Sequence, residues 1–168
     1  MHNVPNLPLG EFAIRPGGFY AAADEFTIVV TGKGGHAAIP HEAIDTTLVA
    51  SQIVVALQSI ASRNADPLKA LVVSVCSVQT ESDAYNVIPQ LCELRGTVRT
   101  HDPLVQDMAE AAISRLVAAT AMAYGAKADI VYERGYPVLV NSAAQTEFAA
   151  NVAELVAGAG KVDRNCPA

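Results

Sequence analysis

The chain has 168 residues, 11 basic against 17 acidic side chains for a formal charge of −6, and 51% hydrophobic residues. That composition excludes intrinsic disorder, which needs low hydrophobicity and high net charge, and a chain of this size buries about two-thirds of its unfolded surface without a metal or disulfide staple. The acidic balance, with 5% aromatic residues and no Trp, also argues against nucleic acid, which is held by patches of Lys and Arg and by stacked aromatic rings.

Residues 1–18 contain Pro5, Pro8, Pro16, Gly10, Gly17 and Gly18, which is connector chemistry rather than a packed element. From Glu25 to Thr31 apolar Phe26, Ile28 and Val30 alternate with Thr27, Val29 and Thr31, a period of two that predicts a strand. Gly32, Gly34 and Gly35 end it. Asp45 is placed to cap a helix on which Val49, Ile53, Leu57 and Ile60 form one face. That helix stops at Asn64-Ala65-Asp66-Pro67, because the residue before proline is pushed out of the helical region.

Leu71 to Gln79 is apolar on both faces and reads as a central strand. Leu91 to Arg99 alternates again, with Cys92, Leu94 and Val98 inward and Glu93, Arg95, Thr97 and Arg99 outward. Asp102-Pro103 opens a second helix, with Val105, Ala109, Ala112, Leu116, Ala119 and Ala123 as its buried stripe and Gly125 as its stop. A last strand is predicted over Ala128 to Arg134, and a further helix over 143–156, cut short by Gly158 and Gly160. The order from 25 to 134 is β-α-β-β-α-β. It predicts an α+β, ferredoxin-like fold, a four-stranded antiparallel sheet with two helices on one face.

No apolar run approaches the roughly 18 residues that span a membrane. Met1-His2-Asn3-Val4-Pro5 lacks a cationic region followed by an apolar block, so no signal peptide is expected. Cys76, Cys92 and Cys166 form no C-x-x-C pair, so reduced thiols in a cytoplasmic protein are expected.

Among residues that can carry chemistry, Thr31-Gly32-Lys33-Gly34-Gly35-His36 matches neither a phosphate loop nor a dinucleotide fingerprint. It is either a flexible connection or a tip on which His36 donates a hydrogen bond to a carbonyl or oxyanion. His36 and His41 are separated by five positions, which does not match the spacing of two ligands on one helix face. Asp83-Ala84-Tyr85-Asn86-Val87-Ile88-Pro89 is a strand connection in which Asn86 either serves the turn or reads a ligand through its amide.

Taken together, Met1-His2-Asn3 with Pro5 and Pro8, Gly34-Gly35-His36-Ala37-Ala38 with Pro40-His41, Asp83 to Pro89, Leu94-Arg95-Gly96-Thr97-Val98-Arg99-Thr100 and Arg134-Gly135-Tyr136-Pro137 resemble the amidohydrolases of metallopeptidase family 20. Hippurate hydrolase and the N-acyl-amino-acid amidohydrolases are members. The resemblance implies a catalytic domain with two divalent metals (Zn, Mn or Co) and an inserted lid through which the enzyme forms a homodimer. The lid would be residues 18–134, between catalytic-domain portions at 1–17 and 135–168. By the same resemblance His36 is the catalytic lid histidine that polarises the scissile carbonyl, Asn86 contacts substrate and His2 is a metal ligand.

The family's Cys-x-His-x-x-His segment, its Glu-Glu pair, its Gly-x-Glu-Asp-Phe segment and its last metal-binding His have no counterpart in the chain. Thr80-Glu81-Ser82 stands where a glycine-containing turn is often seen. The expectation is a fragment of an N-acyl-amino-acid amidohydrolase, holding no metal stably and inactive alone. The alternative is a stand-alone module for dimerisation or small-ligand binding.

Overall fold

The structure, a computed structural model, describes residues 2–167. In chain order it contains β1 (Phe12–Ala13), β2 (Gly17–Tyr20), β3 (Ala22–Thr31), β4 (Gly35–His36), a 3-10 turn (Pro40–Glu42), α1 (Thr46–Ser59), a π-type turn (Ile60–Asn64) and β5 (Leu71–Thr80). There follow β6 (Val87–Ile88), β7 (Leu91–Thr100), α2 (Pro103–Ala123), β8 (Lys127–Arg134), β9 (Leu139–Asn141), α3 (Ala143–Ala157) and β10 (Val162–Asp163). The chain divides into two compact units, one of residues 22–137 and one of residues 2–21 with 138–167.

The unit Ala22–Pro137 is built on a four-stranded sheet of order β5-β7-β3-β8, in which every neighbouring pair is antiparallel. Along β3 the side chains of Ala22, Asp24, Phe26, Ile28 and Val30 are buried and those between them are not. On β7 Cys92, Leu94 and Val98 face the same way. α1 and α2 pack over this face and against each other, contributing Val49, Ile53 and Leu57 from one helix and Ala109, Ile113 and Val117 from the other. At about 1.5–3 kcal/mol for each large side chain removed from water, this single cluster is the main force holding the unit together.

The helices begin where the capping chemistry places them. Asp45 accepts from the backbone N–H groups of Thr47 at 2.9 Å and Leu48 at 3.1 Å. Asp102 accepts from Leu104 N–H at 2.8 Å, with Pro103 in the first turn. Asp102 also pairs with Lys69. The hydrogen bond from Lys69 comes first, then the one from Leu104, in holding the Asp102 carboxyl below its ordinary range. Gly96 is crowded by its neighbours in the same sheet: a Cβ there would run into the Phe26 ring on β3 and the carbonyl oxygen of Ser74 on β5.

Several expectations need correction. β5 is an edge of the sheet, not a central strand; its two apolar faces do not imply two neighbours. β3 starts at Ala22 rather than Glu25, because the inward position before Phe26 holds a carboxylate and breaks the apolar alternation. The buried stripe of α2 continues from Ala112 through Ile113, Val117 and Ala121, while Ala119 and Ala123 are exposed. Alanine fits either face, so the branched side chains choose. The long first helix passes at Ile60 into the π-type turn, closed by Ala65 N–H on the Ile60 carbonyl at 2.9 Å.

In the other unit, the segment expected to be only connector contains two short strands. β1 pairs in parallel with β10, and β2 pairs antiparallel with β9. Its helix α3 buries Thr146 and Ala150 but leaves Phe148, Val152, Leu155 and Val156 exposed. Four large apolar residues at intervals of four, three and one make a second apolar stripe on a helix already buried along another.

Candidate functional site

The glycine-rich segment after β3 is held by main-chain hydrogen bonds. Gly32 N–H donates to the carbonyl of Gln90 at 2.9 Å, and Lys33 and Ile44 exchange two bonds of 3.1 and 2.9 Å. The approach is close enough that a Cβ on Gly32 would lie 2.3 Å from the Ile44 carbonyl oxygen. From there the chain enters β4, which pairs antiparallel with β6, Gly35 opposite Ile88 and His36 opposite Val87. One more bond, Ala37 N–H to the Asn86 carbonyl at 3.0 Å, extends the ladder.

This ladder brings His36 and Asn86 to one tip, although they lie far apart in the chain. Both are exposed. The Nδ1 atom of His36 accepts from Ala38 N–H at 3.0 Å. With Nδ1 used as an acceptor, Nε2 is the ring nitrogen left to donate. Tyr85 and Asn86 form the corner of a turn closed by Val87 N–H on the Ala84 carbonyl at 3.4 Å. The Asn86 side-chain amide makes no hydrogen bond among the described residues, so the turn is held by backbone and leaves the amide free.

Two further contacts stiffen the tip. Thr46, buried in the first turn of α1, donates its hydroxyl to the Pro89 carbonyl at 2.9 Å. Glu81, in the segment without a glycine, accepts from Gln90 N–H at 2.7 Å and Leu91 N–H at 3.3 Å. A carboxylate therefore closes the loop. Sequence reasoning assigned no role to Thr46 or Glu81; their only signal was position, one at a helix start and one before a strand. His41 sits exposed in the 3-10 turn.

His2 lies in the other unit, exposed, with its ring edge-on to Tyr20 at 4.6 Å between centroids. Among the described residues no three His, Cys, Asp or Glu side chains gather as metal donors. A single imidazole does not fit a dinuclear centre, whose ions each take four or more donors. The three cysteines are free, Cys76 exposed and Cys92 and Cys166 buried. Burial pushes the thiols of Cys92 and Cys166 up from their ordinary values. No helix among the described residues is long and apolar enough to cross a membrane.

A four-stranded antiparallel sheet backed by two helices, with His36 and Asn86 on adjoining loops, defines an α+β module. Residues 22–125 match the family model described as the peptidase dimerisation domain, and the chain belongs to the M20 peptidase family. The N-acetylcysteine deacetylase of Bacillus subtilis is 40% identical over 141 residues, which cover 84% of this chain and 37% of that protein. The N-acetyldiaminopimelate deacetylase of Bacillus pumilus is 39% identical over 155 residues, 92% of this chain and 41% of that one. The YXEP protein of Bacillus subtilis, a dinuclear metal-binding peptidase from the M20 family, superimposes with a TM-score of 0.68 at 28% identity, over 100% of this chain and 41% of that chain. The chain thus spans about two-fifths of the length of these relatives.

Proposed function

We propose that this chain supplies the lid of a metal-dependent amidohydrolase acting on N-acyl amino acids. In this reading residues 18–134 are the lid, and residues 1–17 and 135–168 belong to the catalytic domain. The observation that supports it is the β4–β6 ladder, which joins the loop of His36 to the loop of Asn86, with both residues exposed and the Asn86 amide without a hydrogen-bond partner among the described residues. An N–H aimed at the oxygen of a scissile amide stabilises charge that develops there, and an asparagine amide can both donate to and accept from the same acylamino group. The sheet order, with a β-α-β crossover on each side, supports reading the lid as ferredoxin-like.

Two divalent metals belong to the enzyme in this reading, with His2 as one of their ligands. The remaining donors are not among the described residues, so the chain alone is inactive. The exposed stripe on α3 supports the same view, since a helix apolar on two sides is one that a larger domain encloses. Three free thiols favour a reducing, cytoplasmic setting.

The lid also pairs two copies of the chain, and β5 is the edge that does so. This edge is ten residues long, without charge or proline, and carries Val72 and Val78 exposed. α1 packs beside it with Val55 exposed. The opposite edge, β8, holds Lys127, Asp129, Glu133 and Arg134, the kind of charged edge that resists pairing.

Two measurements test this. Sedimentation of the wild type should give a dimer, Val72→Lys with Val78→Lys a monomer, and Val131→Lys on β8 a dimer still. A dimer lost only by the β8 change would put the interface on the wrong edge. Separately, the pure chain should not hydrolyse N-acetyl or N-benzoyl amino acids with added zinc, cobalt or manganese; metal-dependent turnover would refute the proposed division of labour.

A further inference from the structure

Where the ladder between β5 and β7 ends, a side chain takes over from the main chain. β5 stops at Thr80, whose partner is Cys92, while β7 begins one residue before Cys92, at Leu91. The N–H groups of Leu91 and of Gln90 before it lie past that end. One carboxylate oxygen, Oε1 of Glu81, accepts both, from Gln90 at 2.7 Å and from Leu91 at 3.3 Å. Successive main-chain N–H groups converging on one point form an anion-binding concavity, and here the chain fills it with its own side chain.

The opposite ends of the same two peptide groups carry the tip. The Pro89 carbonyl shares a rigid plane with Gln90 N–H and accepts from the Thr46 hydroxyl at 2.9 Å. The Gln90 carbonyl shares a plane with Leu91 N–H and accepts from Gly32 N–H at 2.9 Å. Gly32 opens the segment that runs to His36, and Pro89 closes the short strand that follows Asn86. Both planes are thus gripped at each end, and hydrogen bonds linked through a peptide group strengthen one another. Among the described residues the other hydrogen bonds of residues 81–85 stay within residues 80–87. Without the Glu81 carboxylate this half of the loop has no tie across to Gln90 and Leu91, and both planes are free to turn.

We infer that Glu81 is a positioning residue: by holding the N–H groups of Gln90 and Leu91, its carboxylate fixes the ladder that brings the loops of His36 and Asn86 together. The purpose of that placement rests on the proposed lid function, whereas the placement itself is measured without it.

Amide hydrogen exchange in the isotopically labelled 168-residue chain is the test, and it involves no hydrolysis. The reporter is Ala37 N–H, whose bond to the Asn86 carbonyl extends the β4–β6 ladder. The amides of Ile28 and Leu94, on the two inner strands, report opening of the whole unit. Glu81→Ala should speed exchange at Ala37 about tenfold, the worth of one hydrogen bond to a charged group. It should also move the Gln90 amide proton upfield, since its acceptor is gone, and leave Ile28 and Leu94 exchanging as in the wild type. Glu81→Gln keeps an acceptor oxygen at the same reach and should recover most of the protection at Ala37; Glu81→Asp, one methylene shorter, should not. Three results overturn the inference: unchanged exchange at Ala37 in Glu81→Ala, equal acceleration at Ala37, Ile28 and Leu94, or a Glu81→Gln chain no better protected at Ala37 than Glu81→Ala.

Discussion

Asp24 is 1% exposed, yet its carboxylate has no ion-pair partner among the described residues. Its carboxylate accepts from the Gln106 side-chain amide at 2.9 and 2.8 Å, from the Tyr132 hydroxyl at 2.8 Å and from Gly135 N–H at 3.3 Å. One group thus ties the start of β3 to α2 and to the end of β8. Replacing it by alanine strands two inward donors, and each buried donor without an acceptor costs about 1–3 kcal/mol. Gly135 is exposed, so water replaces its bond, and removing a desolvated charge returns part of the loss. The expected net cost of Asp24→Ala is therefore about 3 kcal/mol, a large share of a typical domain's 5–15 kcal/mol. Asp24→Asn keeps one acceptor oxygen but turns an NH2 toward donors, and should cost roughly half as much on the same accounting. Hydrogen exchange at the Ile28 and Leu94 amides is a suitable assay, because these lie on the two inner strands and exchange only when this unit opens. Asp24→Ala should speed their exchange by about 150-fold, the equivalent of 3 kcal/mol. A loss below about 1 kcal/mol would refute the reasoning. So would additivity of Asp24→Ala with Tyr132→Phe, since a shared bond must appear as coupling.

The same cluster gives the unit an alkaline limb. Burial, and then the hydrogen bond to Asp24, hold the Tyr132 hydroxyl well above its ordinary value. Below about pH 10 the hydroxyl is protonated in both folded and unfolded chains and its contribution is intact; above it only the unfolded chain releases the proton, so stability falls as pH rises. Tyr132→Phe should flatten this limb in unfolding measurements across the alkaline range, and an unchanged slope would assign the limb to other groups. At Gly96 the space for a Cβ is taken by Phe26 and the Ser74 carbonyl. Gly96→Ala should cost about 1–3 kcal/mol, the usual penalty for overpacking, and Phe26→Leu in the same chain should recover part of it; thermal unfolding that is unaffected by Gly96→Ala would contradict the packing.

The long elements were legible because periodicity is a statement about burial. Phe26, Ile28 and Val30 at a spacing of two, and Val49, Ile53 and Leu57 at a spacing of four, can be buried together in only one way each. Where the buried residue is polar, as Asp24 is, or too small to prefer a side, as Ala119 and Ala123 are, the pattern carries no information and the boundaries or the stripe were misread. Two-residue strands such as β4 and β6 have no periodicity to read. They exist because main-chain groups of two distant loops find each other, and a single chain's pattern does not encode that. His36 and Asn86 were accordingly noticed as residue types on loops, and family resemblance named them; their meeting at one tip belongs to the ladder. The edge position of β5 was invisible for a related reason: side-chain composition reports which faces are covered, and the missing neighbour lies in the plane of the sheet.

How the tip is built also bears on what it can do. Its position derives from the inner strands β3 and β7 through Gly32 and Gln90, and from the first turn of α1 through Thr46 and Pro89. Those anchors are main-chain acceptors, so the imidazole and the carboxamide stay uncommitted on their outer sides. An imidazole whose Nδ1 accepts from Ala38 N–H has Nε2 left to donate. No gathered set of metal donors among the described residues accompanies it. A donor held rigidly, without an attacking group beside it, stabilises charge on an oxygen that something else generates. In the proposed function the tip would polarise a carbonyl rather than attack one, and the attacking chemistry would be brought to it.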